Sequence, residues 1–279
     1  MKNNQITVII TTYKSENKII KCLESIDDIY KVIVVENSNN RSLKIKIEKK
    51  FTNVECILSE KNLGYAKGNN LGLSKVKTPY ALIINPDAVL QKDTIKNFFY
   101  IIRKIEKFAI IGPAIQDERK SENNFKKITE VNSVKGFAMF LNIKEFNKIG
   151  FFDENFFIYL EEIDLCRRLI KHQKKIYVVP SIIINHQGGS SHEKAYNYEM
   201  ELSRNWHWMW STFYYLKKYN GFFIALILVF KKLLSSTIKY VTYFLIFNKK
   251  KKLIYKFRLL GLINSIIGKP SWYRPFEIN

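Results

Sequence analysis

The chain has 279 residues, of which 47% are hydrophobic and 14% aromatic. That is enough for one domain of about 200 residues with an appendage, and it excludes a disordered protein. The net charge of +21 first suggests a nucleic-acid partner, but 14 Lys or Arg against 2 Asp or Glu lie in the last 79 residues, which are also strongly apolar. A basic and apolar region favours an anionic membrane surface, and we expect no nucleic acid as partner.

The cysteines indicate a reducing compartment. Cys22, Cys56 and Cys166 are odd in number and scattered without a metal-ligand spacing, as expected of buried, inert thiols. The N-terminus enters a strand-like run after Asn4 and lacks the basic and apolar regions of a secretory signal. We therefore expect a cytoplasmic protein, peripheral on the inner face of the cytoplasmic membrane.

Strand and helix patterns alternate through the first half of the chain. Ile19, Leu23 and Ile26 recur at helical spacing, with Ser15 as the N-cap. Short apolar runs predict strands over residues 6–11, 31–35, 54–58 and 80–84. This order predicts an α/β fold with an open, mixed and mainly parallel sheet flanked by helices.

Further elements extend the predicted domain to residue 205. Residues 161–171 are predicted to form a helix with Leu165, Leu169 and Ile170 facing inward. Additional strands are predicted over residues 108–115, 134–141, 175–179 and 182–184.

The region 206–279 has a different composition. An aromatic cluster from Trp206 to Tyr215 precedes two apolar segments, 222–230 and 233–247, which Lys231 and Lys232 separate. Neither segment reaches the ~20 apolar residues of a spanning helix. We predict amphipathic helices that lie on the bilayer as a membrane-association region. The alternative is helices that pack on the domain or on a second subunit of a homodimer.

Polar residues cluster at the carboxyl ends of the predicted strands, where open α/β sheets bind their ligands. These residues are Thr11, Thr12, Glu36, Asn37, Asn85 and Asp87.

Asp87 and His186 are the candidate metal ligands. A hard cation that is held by a carboxylate can neutralise a departing diphosphate. Asp87 follows a buried strand in Asn85-Pro86-Asp87. His186 lies between an apolar strand and two glycines, which permit close approach of a ligand. An ordinary turn at Asn85-Pro86-Asp87 and a structural histidine are the alternatives.

Glu161, Glu162 and Asp164 are candidates for a general base, because they follow an apolar, aromatic segment directly. The alternative is that acids are simply favoured at a helix N-terminus. His192 is a further candidate for an acceptor or diphosphate contact.

The segment 62–70 is predicted to be a loop rich in glycine and amide side chains, in which backbone N–H groups could approach a nucleotide. It contains Asn62, Gly64, Lys67 and Asn69. It lacks both the Walker pattern and the Gly-x-Gly-x-x-Gly fingerprint, so neither ATP hydrolysis nor a nicotinamide cofactor is indicated.

Taken in order, seven segments resemble the family 2 glycosyltransferases, inverting enzymes with the GT-A fold, and in particular their bacterial rhamnosyltransferase-like branch. The resemblance covers residues 5–220. The segments are VIITTY (8–13), VIVVENS (32–38), NLGYAKGNN (62–70), LIINPD (82–87), VKGFAMF (134–140), FDENFFIYLEEIDLCRR (152–168) and NHQGGS (185–190).

The resemblance implies a role for each segment. Thr11, Thr12 and Tyr13 would line the nucleotide site. Glu36 would accept a hydrogen bond from the N3–H of uracil or thymine. Asp87 and His186 would hold Mn²⁺ or Mg²⁺, and Glu162 would deprotonate the acceptor hydroxyl. Nucleotide-sugar contacts would also come from Asn37, Asn62, Gly64, Lys67, Asn69, Asn85 and Pro86, and acceptor contacts from Gly136, Phe137, Arg167 and His192, with Glu161 and Asp164 shaping the acceptor site.

Three residues depart from the family pattern: Asn85, Glu36 and Glu162 stand where Asp is usual. At position 162 the longer side chain moves the carboxylate by about 1 Å, which can cost about a hundredfold in rate. Three possibilities stay open: a site adjusted to Glu, Glu161 as the base, or low activity.

The resemblance thus predicts transfer of a sugar from a dTDP- or UDP-sugar to a lipid-linked saccharide. A catalytically degenerate module that binds nucleotide sugar or acts as a scaffold is the second hypothesis. A nucleotidyltransferase is a third, disfavoured because the loop 11–18 lacks a triphosphate-binding signature.

Overall fold

The computed structural model describes residues 5–113, 127–186 and 192–274. By contacts between Cα atoms the chain divides into two compact units. The first unit comprises Met1–Phe152 and Glu162–Glu193, and the second comprises Asp153–Glu161 and Lys194–Asn279. The boundary expected between residues 205 and 206 falls inside the second unit.

An eight-stranded sheet forms the centre of the first unit. Its order is β3-β2-β1-β4-β8-β6-β9-β7, with β1 to β4 parallel and β8 antiparallel to both of its neighbours. A separate ribbon pairs β5 with β10. The strands are β1 (Ile6–Thr12), β2 (Lys31–Glu36), β3 (Val54–Leu58), β4 (Tyr80–Ile84), β5 (Ala88–Leu90), β6 (Ile110–Pro113), β7 (Thr129–Glu130), β8 (Ala138–Asn142), β9 (Ile176–Val179) and β10 (Ile184–His186).

This sheet confirms the predicted α/β class. The β-branched residues of β1, β2 and β4 are almost completely buried, as expected of strands covered on both faces. Of the strand expected over 108–115, β6 is present, and residues 114 and 115 lie outside the described part. The strand expected over 134–141 begins only at Ala138. The strand expected over 182–184 is observed as β10, which begins only at Ile184 and continues to His186.

Five α-helices lie among the described residues of the first unit. They are α1 (Glu16–Glu24), α2 (Arg41–Lys50), α3 (Gly64–Leu73), α4 (Thr94–Ile102) and α5 (Glu161–Lys171), whose first residue is assigned to the second unit. Ser15 occupies the N-cap position of α1, and its hydroxyl donates to the Tyr13 carbonyl. Leu165 and Leu169 of α5 are buried as predicted. Ile170 is 39% exposed, a correction, because it lies about 140° around the helix from Leu165.

The expected glycine and amide loop is also corrected, since residues from Gly64 onward form α3. A Cβ on Gly68 would lie 2.6 Å from Thr11 Cγ2, and one on Gly72 would lie 2.6 Å from Ile9 Cγ2. These two glycines therefore let the helix pack closely on β1.

The second unit is mainly helical. It contains α6 (Asn197–Asn220), α7 (Phe222–Leu245) and α8 (Lys249–Ile266). The break expected at Lys231 and Lys232 is absent: α7 continues through them, because lysine is a good helix former. Within the residues described, no helix is both long and apolar enough to cross a membrane.

Two kinds of contact hold the second unit together. Met209, Phe213, Val229 and Leu262 form part of a buried apolar cluster contributed by all three helices. Gly261 of α8 allows the closest approach, because a Cβ there would lie only 2.1 Å from the Trp206 carbonyl oxygen. The α6–α8 pair is therefore packed backbone to backbone at this point.

Candidate active site

The β5–β10 ribbon brings the two predicted metal ligands together. After β4 the chain turns at Asn85, whose carbonyl accepts from Ala88 N at 3.0 Å, and enters β5. Antiparallel pairing sets His186 opposite Ala88. As a result Asp87 Oδ1 lies 3.4 Å from His186 Nε2, and the Asp87 side chain is buried. The glycines that follow His186 lie outside the described residues.

A buried aromatic ring orients the His186 imidazole. The Phe137 ring stacks on it with centroids 4.5 Å apart and an interplanar angle of 17°. Asn85 adds its amide Nδ2 at 3.4 Å from His186 Nε2, and Asn85 N donates to the Phe137 carbonyl at 2.9 Å. Phe137, which the sequence suggested as an acceptor contact, thus touches the histidine.

The donor set of this pair fits a hard divalent cation. Two ligands bound at right angles to one ion at about 2.1 Å lie about 3 Å apart, close to the observed separation of Asp87 and His186. A carboxylate together with an imidazole suits Mn²⁺, and the carboxylate also suits Mg²⁺. Across the described ranges no group of three or more His, Cys, Asp or Glu is placed to hold a metal.

Cys22 lies beneath this pair and is inert. Its thiol donates to the Asn85 carbonyl at 3.7 Å. Burial raises its pKa far above the ordinary value, and the Asp87 carboxylate raises it further. Burial likewise raises the pKa of Cys56 and of Cys166 to about 12. All three thiols are free and buried, as the sequence predicted.

The acidic helix α5 begins beside an unusual backbone segment. Tyr159 and Leu160, just before it, have φ of 74° and 67°, a region that bulky residues rarely adopt. Glu161 is buried at the first position of the helix. Glu162 lies beside Gly136, where a Cβ would be 3.7 Å from both Glu162 Cβ and Cγ.

The dipeptide Gly136-Phe137 connects the candidate base to the candidate metal ligands. Gly136 lies beside Glu162, and its carbonyl accepts from the Tyr65 hydroxyl. Phe137 stacks on His186. Because consecutive Cα atoms are only about 3.8 Å apart, Glu162 and the Asp87–His186 pair flank the same short segment of chain. Sequence spacing gives no hint of this, since it depends on how β8 pairs with β4.

Asp164 has a structural partner. It is completely buried, and Arg168 Nε donates to its Oδ2 at 2.8 Å. Arg168 also donates to the carbonyl oxygens of Ile149, at 2.9 Å, and Phe151. These contacts fix the chain before Phe152 and favour a structural role for Asp164. Arg167, by contrast, is exposed.

Two threonine hydroxyls lie at the end of β1. Thr11 Oγ1 and Thr12 Oγ1 are buried, and neither has a hydrogen-bond partner within the described ranges; the same holds for Asn69 Oδ1. Tyr13 follows directly. The segment containing buried His192 lies against the same loop, because Glu193 N donates to the Lys14 carbonyl at 2.9 Å.

The Glu36 carboxylate organises the loop after β2. Its Oε2 accepts from Asn40 N at 2.6 Å, and its Oε1 accepts from Ser38 N at 3.0 Å. The Ser38 hydroxyl also donates to Oε1, so three donors already occupy this completely buried carboxylate, which offers two acceptor sites on each oxygen.

The neighbouring amides connect β2 to α3. Asn37 Nδ2 donates to the Gly64 carbonyl at 3.0 Å, and Asn62 Oδ1 accepts from Gly64 N at 3.1 Å. Lys67 is exposed, and Pro86 is buried in the turn before Asp87.

Comparison with known proteins identifies the family. Residues 7–168 match the family described as glycosyl transferase family 2. The chain belongs to this family. It is therefore a glycosyltransferase, and the predicted enzyme class is confirmed.

Three of the curated relatives are named as rhamnosyl- or hexosyltransferases. Rhamnosyltransferase WbbL of Escherichia coli K12 is 26% identical over 257 residues, 76% of this chain and 93% of the relative. The dTDP-rhamnosyl transferase RfbF of Shigella flexneri is 26% identical, and the match covers 95% of this chain and 97% of the relative. The low-salt glycan biosynthesis hexosyltransferase Agl10 of Haloferax volcanii is 27% identical over 194 residues, but this chain spans only 61% of it. The rhamnosyltransferase-like resemblance is confirmed.

Solved structures show the same fold at low identity. The mannosyltransferase PcManGT of Pyrobaculum calidifontis, in complex with GDP-Man and Mn²⁺, has a TM-score of 0.61 at 12% identity over 94% of this chain and 87% of that one. S. aureus TarS 1-349 in complex with UDP-GlcNAc has a TM-score of 0.56 at 15% identity, over 97% and 93% of the two chains. The family 2 match ends at Arg168, so the assignment of His186 rests on the ribbon geometry.

Proposed function

We propose that the protein is an inverting glycosyltransferase that moves a sugar, rhamnose or another hexose, from a dTDP- or UDP-sugar to a lipid-linked saccharide. The reaction would serve cell-surface polysaccharide biosynthesis. The observation that carries this proposal is the Gly136-Phe137 connection between Glu162 and the Asp87–His186 pair. The names of the rhamnosyltransferase relatives support the donor class.

The proposed chemistry is a single displacement. Glu162 takes the proton of an acceptor hydroxyl while that oxygen bonds to the anomeric carbon, and the bond from that carbon to the diphosphate oxygen breaks. The nucleoside diphosphate leaves from the opposite face. Mn²⁺ or Mg²⁺ held by Asp87 and His186 would offset the negative charge of the diphosphate. Thr11, Thr12 and Glu36 would position the nucleoside.

The proposed location is the inner face of the cytoplasmic membrane, with the protein bound peripherally. That leaflet carries anionic lipid, which attracts basic segments. The lipid-linked acceptor would be presented at this surface. The charge of the last 79 residues, 14 basic against 2 acidic, supports the placement.

Replacing Asp87 with Ala tests the assignment. We expect the metal-dependent thermal stabilisation by a dTDP- or UDP-sugar to disappear and transfer to fall at least about a hundredfold. Asp28→Ala, which removes an exposed carboxylate elsewhere, is the matched control and should behave as wild type. Full transfer activity in the Asp87 variant would overturn the proposal.

A degenerate module is the second candidate, favoured by Glu162 in place of the Asp usual in the family. It predicts donor binding without turnover. Glu162→Asp separates the two candidates: a large gain in transfer indicates a decayed site, whereas a loss indicates a site adjusted to Glu. Glu162→Gln should keep donor binding and lose turnover if Glu162 is the base, and a fully active Gln variant would point to Glu161.

A further inference from the structure

Helix α7 carries an exposed apolar stripe along its outer face. The residues recur in steps of three or four, which places them on one side of a helix about 36 Å long. Each is exposed by 48% to 79%. The α7 stripe consists of Phe223, Ile227, Phe230, Leu234, Ile238, Val241 and Leu245.

The opposite face of α7 already supplies the contacts that hold the unit together. Ala225, Val229 and Ser236 are buried, and Ala225 and Val229 belong to the apolar cluster of the second unit. The exposed stripe is therefore an additional apolar surface that the folding of this unit does not require. A solvent-exposed apolar surface of this length indicates a binding site.

The connection from α7 to α8 extends the stripe into a tip. Phe244, Leu245 and Ile246 are 56–66% exposed, and Phe247, with φ of 56°, is 88% exposed. We call residues 244–252 the α7–α8 tip. The last four residues of the tip are lysines, Lys249–Lys252.

The four lysines of the tip lie where a helix dipole disfavours positive charge. Lys249–Lys252 form the first turn of α8, where the helix dipole repels positive charge. Asn248 caps the helix, accepting from Lys251 N at 3.0 Å. Of the four, in the described part of the chain, only Lys250 has an ion pair, to Glu201 at 3.6 Å. Lys250, Lys251 and Lys252 also lie over the rings of Tyr198, Tyr243 and Phe244, which offsets part of the electrostatic cost and leaves a dense positive charge on the tip.

Charge decides what covers this surface. Residues 222–267 contain nine Lys or Arg and no Asp or Glu. A two-fold dimer through the stripe would bring two such basic surfaces together, and like charges would repel. A nucleic acid would meet the lysines but leave the phenylalanine and leucine side chains in water. An anionic bilayer satisfies both kinds of side chain.

We propose that the α7 stripe and the α7–α8 tip bind an anionic lipid bilayer. The apolar side chains enter the boundary between headgroups and acyl chains, and the lysines contact headgroup phosphates. Helix α7 then lies in the plane of the interface. This deepens the proposed function, on which it rests for the lipid-linked acceptor, by naming the surface that reaches the lipid.

Vesicle flotation of the full chain, without donor or metal, tests this. Wild type should float with phosphatidylcholine vesicles that contain phosphatidylglycerol, less at high salt, and hardly at all without the anionic lipid. Lys249→Gln with Lys251→Gln should lower the partition coefficient about fivefold for each charge. A stripe variant, Ile227→Gln, Leu234→Gln and Ile238→Gln, should lower it at least about tenfold.

The controls come from α2 of the first unit. Ile45→Gln, Lys46→Gln and Lys49→Gln make the same chemical changes at exposed positions and should bind vesicles as wild type. A second measurement covers a stripe variant that fails to fold. Phe247→Cys, labelled with an environment-sensitive dye, should shift its emission to the blue with anionic vesicles, and labelled Ile45→Cys should not; the native thiols are buried.

Three results would overturn the proposal. They are unchanged flotation of a folded stripe variant, no emission shift at position 247, and a wild-type dimer that the stripe substitutions dissociate. Asp87→Ala should float like wild type, which separates this inference from the proposed function. The wild type alone also separates the two: no flotation with transfer to a detergent-dissolved acceptor counts against the inference only, and flotation without transfer counts against the proposed function only.

Discussion

The strands of the first unit bury their apolar residues almost completely, whereas α7 of the second unit leaves seven apolar residues along one face exposed. In the first unit burial fixes the register, and the register places polar side chains at the carboxyl edge of the sheet. In the second unit part of the apolar surface is not used for folding. Apolar sequence therefore indicates a core in one region and an interaction surface in the other.

The largest predicted effect is on the stability of the second unit, and it should come from Gly261→Ala. A Cβ there meets the Trp206 carbonyl oxygen at 2.1 Å, and backbone cannot move aside as a side chain can. We expect the free energy of unfolding to fall by about 3 kcal/mol or more, measured by thermal or denaturant unfolding. Gly136→Ala is the control: its nearest atoms lie at 3.5–3.7 Å, so stability should hardly change. Equal stability of the two variants would contradict the close α6–α8 packing.

A smaller effect, confined to the first unit, is expected from Phe137→Leu. It removes the ring that stacks on His186 and leaves both metal ligands in place. Loss of such a supporting group should weaken Mn²⁺ binding about tenfold, measured by calorimetry with a nucleoside diphosphate present. Phe146→Leu removes a ring stacked on Phe151 instead and should leave the affinity unchanged. Equal Mn²⁺ affinity in both variants would show that Phe137 does not support the site.

Much of the first unit was predictable because its signals are local. The bounds predicted for β3, β4 and α5 match those observed, since short β-branched runs and helical spacing specify these elements. The sequence also suggested Asp87 and His186 as a pair. The structure brings them together through the β5–β10 ribbon, and β5 was not predicted.

The rest depends on contacts between distant segments. The stacking of Phe137 on His186 follows from β8 inserting antiparallel beside β4, which no local pattern encodes. The sequence pattern places Gly68 in a nucleotide loop, because glycine serves both close helix packing and ligand approach. Lys231 and Lys232 suggested a break in α7, although a charged pair on an exposed helix face interrupts nothing.

The smallest predicted effect tests a buried polar contact in the second unit. His207 is buried with its Nε2 donating to the Tyr273 carbonyl at 2.9 Å and its Nδ1 accepting from the Ser271 hydroxyl at 2.9 Å. Burial lowers its pKa well below the ordinary value, and the nearby Arg274 charge lowers it further, against the opposing effect of the Tyr273 carbonyl. The folded protein therefore keeps His207 neutral where the unfolded chain takes up a proton.

Stability should accordingly fall as the pH drops below the unfolded histidine pKa of about 6.5. The loss attributable to His207 approaches about 1.4 kcal/mol for each pH unit until its folded pKa is reached, and it is absent above pH 7.5 or so. Denaturant unfolding of wild type and His207→Gln at pH values on either side of this point isolates the contribution, because the other titrating groups are shared. Parallel pH profiles would contradict this account, because they would mean that the pKa of His207 is the same in the folded and the unfolded protein.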